Sequence, residues 1–143
     1  MAIEVFTELQ NLVGGWSGKT STGQVLKVSY RLIANDTALI ETWILVSGQE
    51  ALTIYHMDGS QLIASHYCPK GNQPRLRLQP GDKDCTYLFE FFEGTNLKTI
   101  DVAHQHRFEL RLLDRNHFVR SETYCENERD ETETISYVRQ MKL

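Results

Sequence analysis

Three cysteines are all this 143-residue chain has, Cys68, Cys85 and Cys125. An odd number at such wide spacing fits neither a paired disulfide framework nor a C-x-x-C zinc or redox motif, so reduced thiols are expected. No apolar run approaches the 18 or more residues of a membrane-spanning helix, and Glu41 interrupts the best candidate, 39–46. The first ten residues carry Glu4 and Glu8 inside their only apolar stretch, which is not the pattern of an export signal. A cytoplasmic location is therefore expected. Basic clusters are also missing: the longest is Arg75-Leu76-Arg77, and the net charge is -4. Nucleic acid is disfavoured as a partner, because neutralising phosphates requires clustered Lys and Arg. There is no G-x-S-x-G, phosphate loop or dinucleotide fingerprint. The acidic run 126–133 reads as a solvated turn rather than a paired-carboxylate site.

What is present suits a packed core. Hydrophobic residues make up 41% and charged residues 24%, and a chain of this length buries roughly 70% of its unfolded surface. One domain over 1–143 is expected. Phe6, Leu9, Leu12 and Val13 recur about every third residue, which predicts a short amphipathic helix over 3–13, stopped by Gly14-Gly15. Beyond it the period changes to two. Residues 25–32 alternate apolar and polar for eight positions, as a half-buried strand does. Further strands are predicted at 15–20, 38–46, 51–57, 61–68, 75–79, 84–92, 104–113, 117–125 and 132–139.

Between them lie turn residues, among them Ala34-Asn35-Asp36, Asp58-Gly59, Gly71-Asn72-Gln73-Pro74, Pro80-Gly81-Asp82 and Asp114-Arg115-Asn116. Connections this short cannot make parallel crossovers, so the chain is an antiparallel meander. About ten strands hide their edges best by closing, which predicts an all-β, up-and-down barrel with a short N-terminal helix. The longer connection 93–103 is a candidate cover over one barrel mouth.

Leu12-Val13-Gly14-Gly15-Trp16-Ser17-Gly18 resembles the helix-then-Gly-x-Trp opening of lipocalin-like (calycin-type) barrels. The stretch Tyr55-His56-Met57-Asp58-Gly59, then His66-Tyr67-Cys68, Gly71-Asn72-Gln73-Pro74-Arg75, Thr95-Asn96-Leu97 and His104-x-His106, is similar to an uncharacterised bacterial family of lipocalin-like barrels. The resemblance implies the fold, with Trp16 plugging one barrel end. It implies no activity. Nitrobindin-like haem barrels and fatty-acid-binding barrels share the opening motif and not the others.

Alternation also sorts side chains into faces. His104, His106, Phe108, Leu110 and Leu112 share one face of a strand whose other face is wholly polar, so both histidines are expected inside the barrel. A two-residue turn at Asp58-Gly59 puts Thr53, Tyr55 and Met57 on the face of Leu62, Ala64, His66 and Cys68, and His66 is expected inward. Phe118, Arg120, Glu122 and Tyr124 share a face that is also expected inward.

The candidate ligand-binding residues are therefore His66, His104, His106, Arg120, Glu122 and Tyr124. Three histidines with Glu122 or water could ligate a divalent metal, but a hydrogen-bonded histidine cluster is the simpler expectation, and neither metal, haem nor any other cofactor is assigned. Arg120 and Tyr124 could grip a carboxylate, the competing arrangement being an Arg120–Glu122 pair. His66 and Cys68 are about 6.5 Å apart along an ideal strand, far for a thiol and its base. The expected function is binding of a small amphipathic or aromatic molecule inside the barrel. The alternatives are a filled barrel that acts structurally or self-associates as a homodimer, and an enzyme that uses the histidines as acid, base or metal ligands. The expected partner is a small molecule, not nucleic acid or membrane.

Overall fold

The structure, a computed structural model, describes residues 1–81 and 84–141. Asp82 of the expected turn Pro80-Gly81-Asp82 lies outside the described residues. An α-helix, α1 (Ala2–Leu9), runs into a 3₁₀ turn (Gln10–Leu12), and ten strands follow: β1 (Gly14–Lys19), β2 (Val25–Ile33), β3 (Ala38–Ile44), β4 (Glu50–Asp58), β5 (Gln61–Tyr67), β6 (Gln73–Leu78), β7 (Thr86–Thr95), β8 (His104–Asp114), β9 (His117–Glu126) and β10 (Arg129–Arg139). Each pairs antiparallel with the next, and β1 closes the barrel on β10 from Trp16↔Arg139 to Gly18↔Tyr137. No helix among the described residues is long and apolar enough to cross a membrane.

The helix forms because Phe6, Leu9 and Leu12, three apart, give it one apolar stripe, and all three are buried in the core. It packs on β4 and β5 and closes one barrel end. Gly14, at φ 126°, then turns the chain into β1 in a conformation that side chains resist. Behind this plug Trp16 is 1% exposed. Its indole Nε1 donates to the Leu12 carbonyl over 2.8 Å, its ring meets Phe118 edge-on at 4.8 Å, and the Arg139 guanidinium lies 4.3 Å from the ring centre. Gly18 lets β1 pass close to β10, since a Cβ there would fall 2.7 Å from the Tyr137 ring and 2.8 Å from Ile135.

Aromatic side chains fill the helix-capped half. Phe89 stacks on Phe108 at 4.8 Å, Tyr55 meets both rings edge-on, and Tyr30 meets Phe118 in the same way. The β4–β5 turn sits at Gly59-Ser60, one residue later than Asp58-Gly59. Sliding a two-residue turn by one position shifts every cross-strand partner by two, which leaves the faces unchanged, and Thr53↔His66 and Tyr55↔Ala64 share the face expected from the sequence.

Two expectations are corrected. The acidic run is solvated, being exposed from end to end, but it is not a turn throughout: only Asn127 and Glu128 turn, at φ 50° and 62°, while Glu131 and Glu133 lie on β10 and stand among the residues around a cavity. The strict alternation of β8 also fails at its start. Gln105 pairs with Tyr124 and Arg107 with Thr123, so His106 is an extra residue in a β-bulge. A bulge reverses the alternation for everything before it. Gln105, not His104, therefore takes the inner position beside Tyr124, and His104 falls opposite Cys125.

Candidate functional site

Above the aromatic half lies a layer of buried charge. Glu41 is on β3 between Leu39 and Trp43, positions whose alternation puts all three inside, and it is fully buried. Four donors converge on its carboxylate. Tyr30 and Tyr55 hydroxyls donate to Oε2 at 2.8 and 2.6 Å, Arg120 Nη1 donates to Oε2 at 3.0 Å, and Trp43 Nε1 donates to Oε1 at 2.6 Å. With only donors around it, the group is placed as an acceptor, which a carboxylate is. Burial first, and then the Glu41 charge, hold the phenols of Tyr30 and Tyr55 well above their ordinary pKa. Burial opposes the charge on Arg120, but the carboxylates of Glu41 and Glu122 outweigh it and keep the guanidinium protonated. The guanidinium lies over two aromatic rings, 4.3 Å from the Phe108 ring centre and 4.9 Å from that of Trp43.

Beyond this layer, at the end opposite α1, a cavity of about 840 Å³ opens outward. Its buried part is lined by Trp43, Ala51, His66, Arg120, Ile135 and Tyr137, with Cys68, Glu122 and Tyr124 partly exposed above them. Around the mouth stand Glu126, Glu131 and Glu133, with Lys70 and Arg129. Arg120 is 2% exposed, yet its Nε and Nη2 have no acceptor within hydrogen-bond distance among the described residues. The carboxylate of Glu122 approaches Nε only to 3.9 Å, and its other oxygen accepts from Gln105 Nε2.

His66 stands in the cavity wall with both ring nitrogens engaged, Nδ1 with Thr53 Oγ1 at 2.9 Å and Nε2 with the Tyr124 hydroxyl at 3.2 Å. Both partners can donate or accept, so either neutral tautomer is served. Burial lowers the His66 pKa, with the Glu122 charge pulling the other way. The neutral ring is therefore the folded form. Because the folded pKa lies below the unfolded value of 6.5, the stability His66 contributes is present above pH 6.5 and is lost as pH falls below it, by up to about 1.4 kcal/mol per pH unit. Urea denaturation at pH 7.5 and 5.5 should show this loss, and His66→Gln should flatten it. An equal acid loss in the variant would place the titrating group elsewhere.

Of the six residues expected to bind, the cavity brings together His66, Arg120, Glu122 and Tyr124 and leaves out His104 and His106. Carried off the inner face by the bulge, His104 is fully buried against Phe91 at 4.8 Å. Its Nδ1 donates to the Val102 carbonyl at 2.7 Å, and its Nε2 shares a hydrogen bond with His106 Nδ1 at 3.0 Å. The pair anchors the connection between β7 and β8; it does not line the cavity. Among the described residues no group of three or more His, Cys, Asp or Glu is arranged to hold a metal ion. Cys68, Cys85 and Cys125 are free thiols.

Sequence reasoning missed Glu41, Trp43, Tyr30 and Tyr55. The signal was present in Leu39-x-Glu41-x-Trp43, where an acid shares a strand face with two large apolar residues. Such an acid needs a buried partner, and Arg120, not expected to pair with it, is that partner.

No family model matches the chain, and no curated protein matches it. Among solved structures, the chain is similar to the crystal structure of Rv2717c from M. tuberculosis, with a TM-score of 0.59 over 96% of this chain and 97% of that one, at 13% sequence identity. At that identity the likeness supports the fold, a ten-stranded antiparallel barrel with a bacterial structural neighbour, and nothing finer.

Proposed function

We propose that the barrel binds one small amphipathic or aromatic molecule in the open cavity, its polar end toward Arg120 and its apolar body against Trp43, Leu26, Ile135 and Tyr137. The observation that carries this is the state of Arg120. Two N–H groups of the guanidinium, each with almost no accessible surface, lack a protein acceptor, and Arg120 is among the residues that line a cavity open to solvent. Leaving such groups without a partner is costly, and a ligand acceptor offsets that cost. The volume of about 840 Å³ lies within the range of about 300–1,000 Å³ usual for small-molecule sites. His66, Glu122 and Tyr124 set polar contacts beside the apolar side chains Leu26, Trp43, Ile135 and Tyr137, and polar groups of this kind orient a ligand. Filling of the barrel, the alternative expectation, describes only the helix-capped half.

Titration with the neutral, environment-sensitive dye Nile red tests the proposal. Saturable one-to-one binding is expected, and Cys68→Trp, which puts a large ring into the cavity wall, should weaken it about tenfold or more, or 1.4 kcal/mol and upward. Cooperative unfolding of the variant distinguishes a blocked cavity from a lost fold. Absence of binding by the parent protein up to about 1 mM, or equal binding by a folded Cys68→Trp, would overturn the proposal.

A further inference from the structure

The charges around the cavity say which head group it takes. The guanidinium of Arg120 already has a counterion, the Glu41 carboxylate at 3.0 Å, and a second carboxylate, Glu122, stands 3.9 Å from its Nε. One buried positive charge thus faces two negative ones, and His66 adds none, since burial favours its neutral ring. At the mouth the acids Glu126, Glu131 and Glu133 outnumber the bases Lys70 and Arg129. A ligand carboxylate would be the third anion around a single guanidinium, in a site where low dielectric strengthens the repulsion. The free N–H edge of Arg120 nonetheless requires an acceptor, and the free lone pairs of Glu122 Oε2 take a donor.

We infer that the ligand's head group is neutral and carries an acceptor and a donor side by side, as a carboxamide or lactam does: its carbonyl accepts from Arg120 Nε–H and Nη2–H while its N–H donates to Glu122. The inference rests on the cavity being a binding site and specifies the chemistry it selects. Two features support the fit. The Phe108 and Trp43 rings pack against the guanidinium and, with the Glu41 ion pair, restrict its movement, so the unpaired edge is preorganised. Gln105 holds one oxygen of Glu122, so that carboxylate is positioned rather than free to close on Arg120.

Isothermal titration of the protein with 2-naphthamide and with 2-naphthoate at pH 7.5 compares two near-isosteric ligands that differ in head-group charge and in the N–H donor. The amide should bind about tenfold tighter or more. Glu122→Gln, which removes one anion and keeps the shape, should strengthen naphthoate binding and narrow that preference to about threefold or less. Naphthoate binding as tightly as the amide in the parent protein, or an unchanged preference in a folded Glu122→Gln variant, would overturn the head-group inference while Nile red binding still upheld the cavity as a site. If neither naphthalene ligand binds and Nile red does, the inference fails alone. Should none of the three bind, the proposed function fails with it.

Discussion

Glu41→Leu should destabilise the protein by about 3–5 kcal/mol, the usual cost of removing one partner from a buried ion pair. The change strips Arg120 of its counterion at a position 2% exposed and removes the acceptor of the Tyr30 and Tyr55 hydroxyls and the Trp43 indole together. Each orphaned donor carries its own desolvation penalty. Removing both charges is a different matter: Glu41→Leu with Arg120→Met should recover the part of the loss that comes from the unpaired guanidinium, while the Tyr30, Tyr55 and Trp43 donors stay without their acceptor. Urea unfolding of the parent, the single variant and the double variant measures both effects. A single variant within about 1 kcal/mol of the parent would mean that Arg120 finds another acceptor or leaves the barrel.

Trp16→Ala is expected to cost a similar amount, about 3–5 kcal/mol, for a different reason. The ring is 1% exposed, tied to Leu12 through its indole nitrogen and packed against Phe118 and Arg139. Its removal leaves a void between the plug and the core and unties α1 from the barrel end. The same unfolding measurement checks it, and a loss below about 1 kcal/mol would show that the helix end closes without it.

The barrel was legible in the sequence because its signals are local. Alternation of two and short turns at places such as Asp58-Gly59 located all ten strands, and Phe6, Leu9 and Leu12 located the helix. The face of Phe118, Arg120, Glu122 and Tyr124 was legible for the same reason. The bulge was not: His104, His106, Phe108 and Leu110 alternate without interruption, and no glycine or proline marks the extra residue. Nor was the Glu41–Arg120 pair, whose members are 79 residues apart. Their meeting is set by the stagger of the closed barrel, a global quantity that no window of sequence contains. The acidic run was misread on the same ground, since a hairpin's strand positions and its turn are equally polar at a cavity mouth.

A small molecule bound in the cavity with its polar end on the unpaired edge of Arg120 should leave its mark on that guanidinium. A ¹⁵N-resolved NMR titration that follows the Arg120 Nε–H signal tests it most directly, with 2-naphthamide as ligand and Arg120→Met to assign the resonance. The expected result is one slowed, protected Nε–H signal that shifts in proportion to occupancy, while the Nε–H signal of Arg139, at the plugged end, stays in place. Saturation of the protein with no change at Arg120 Nε–H would contradict it.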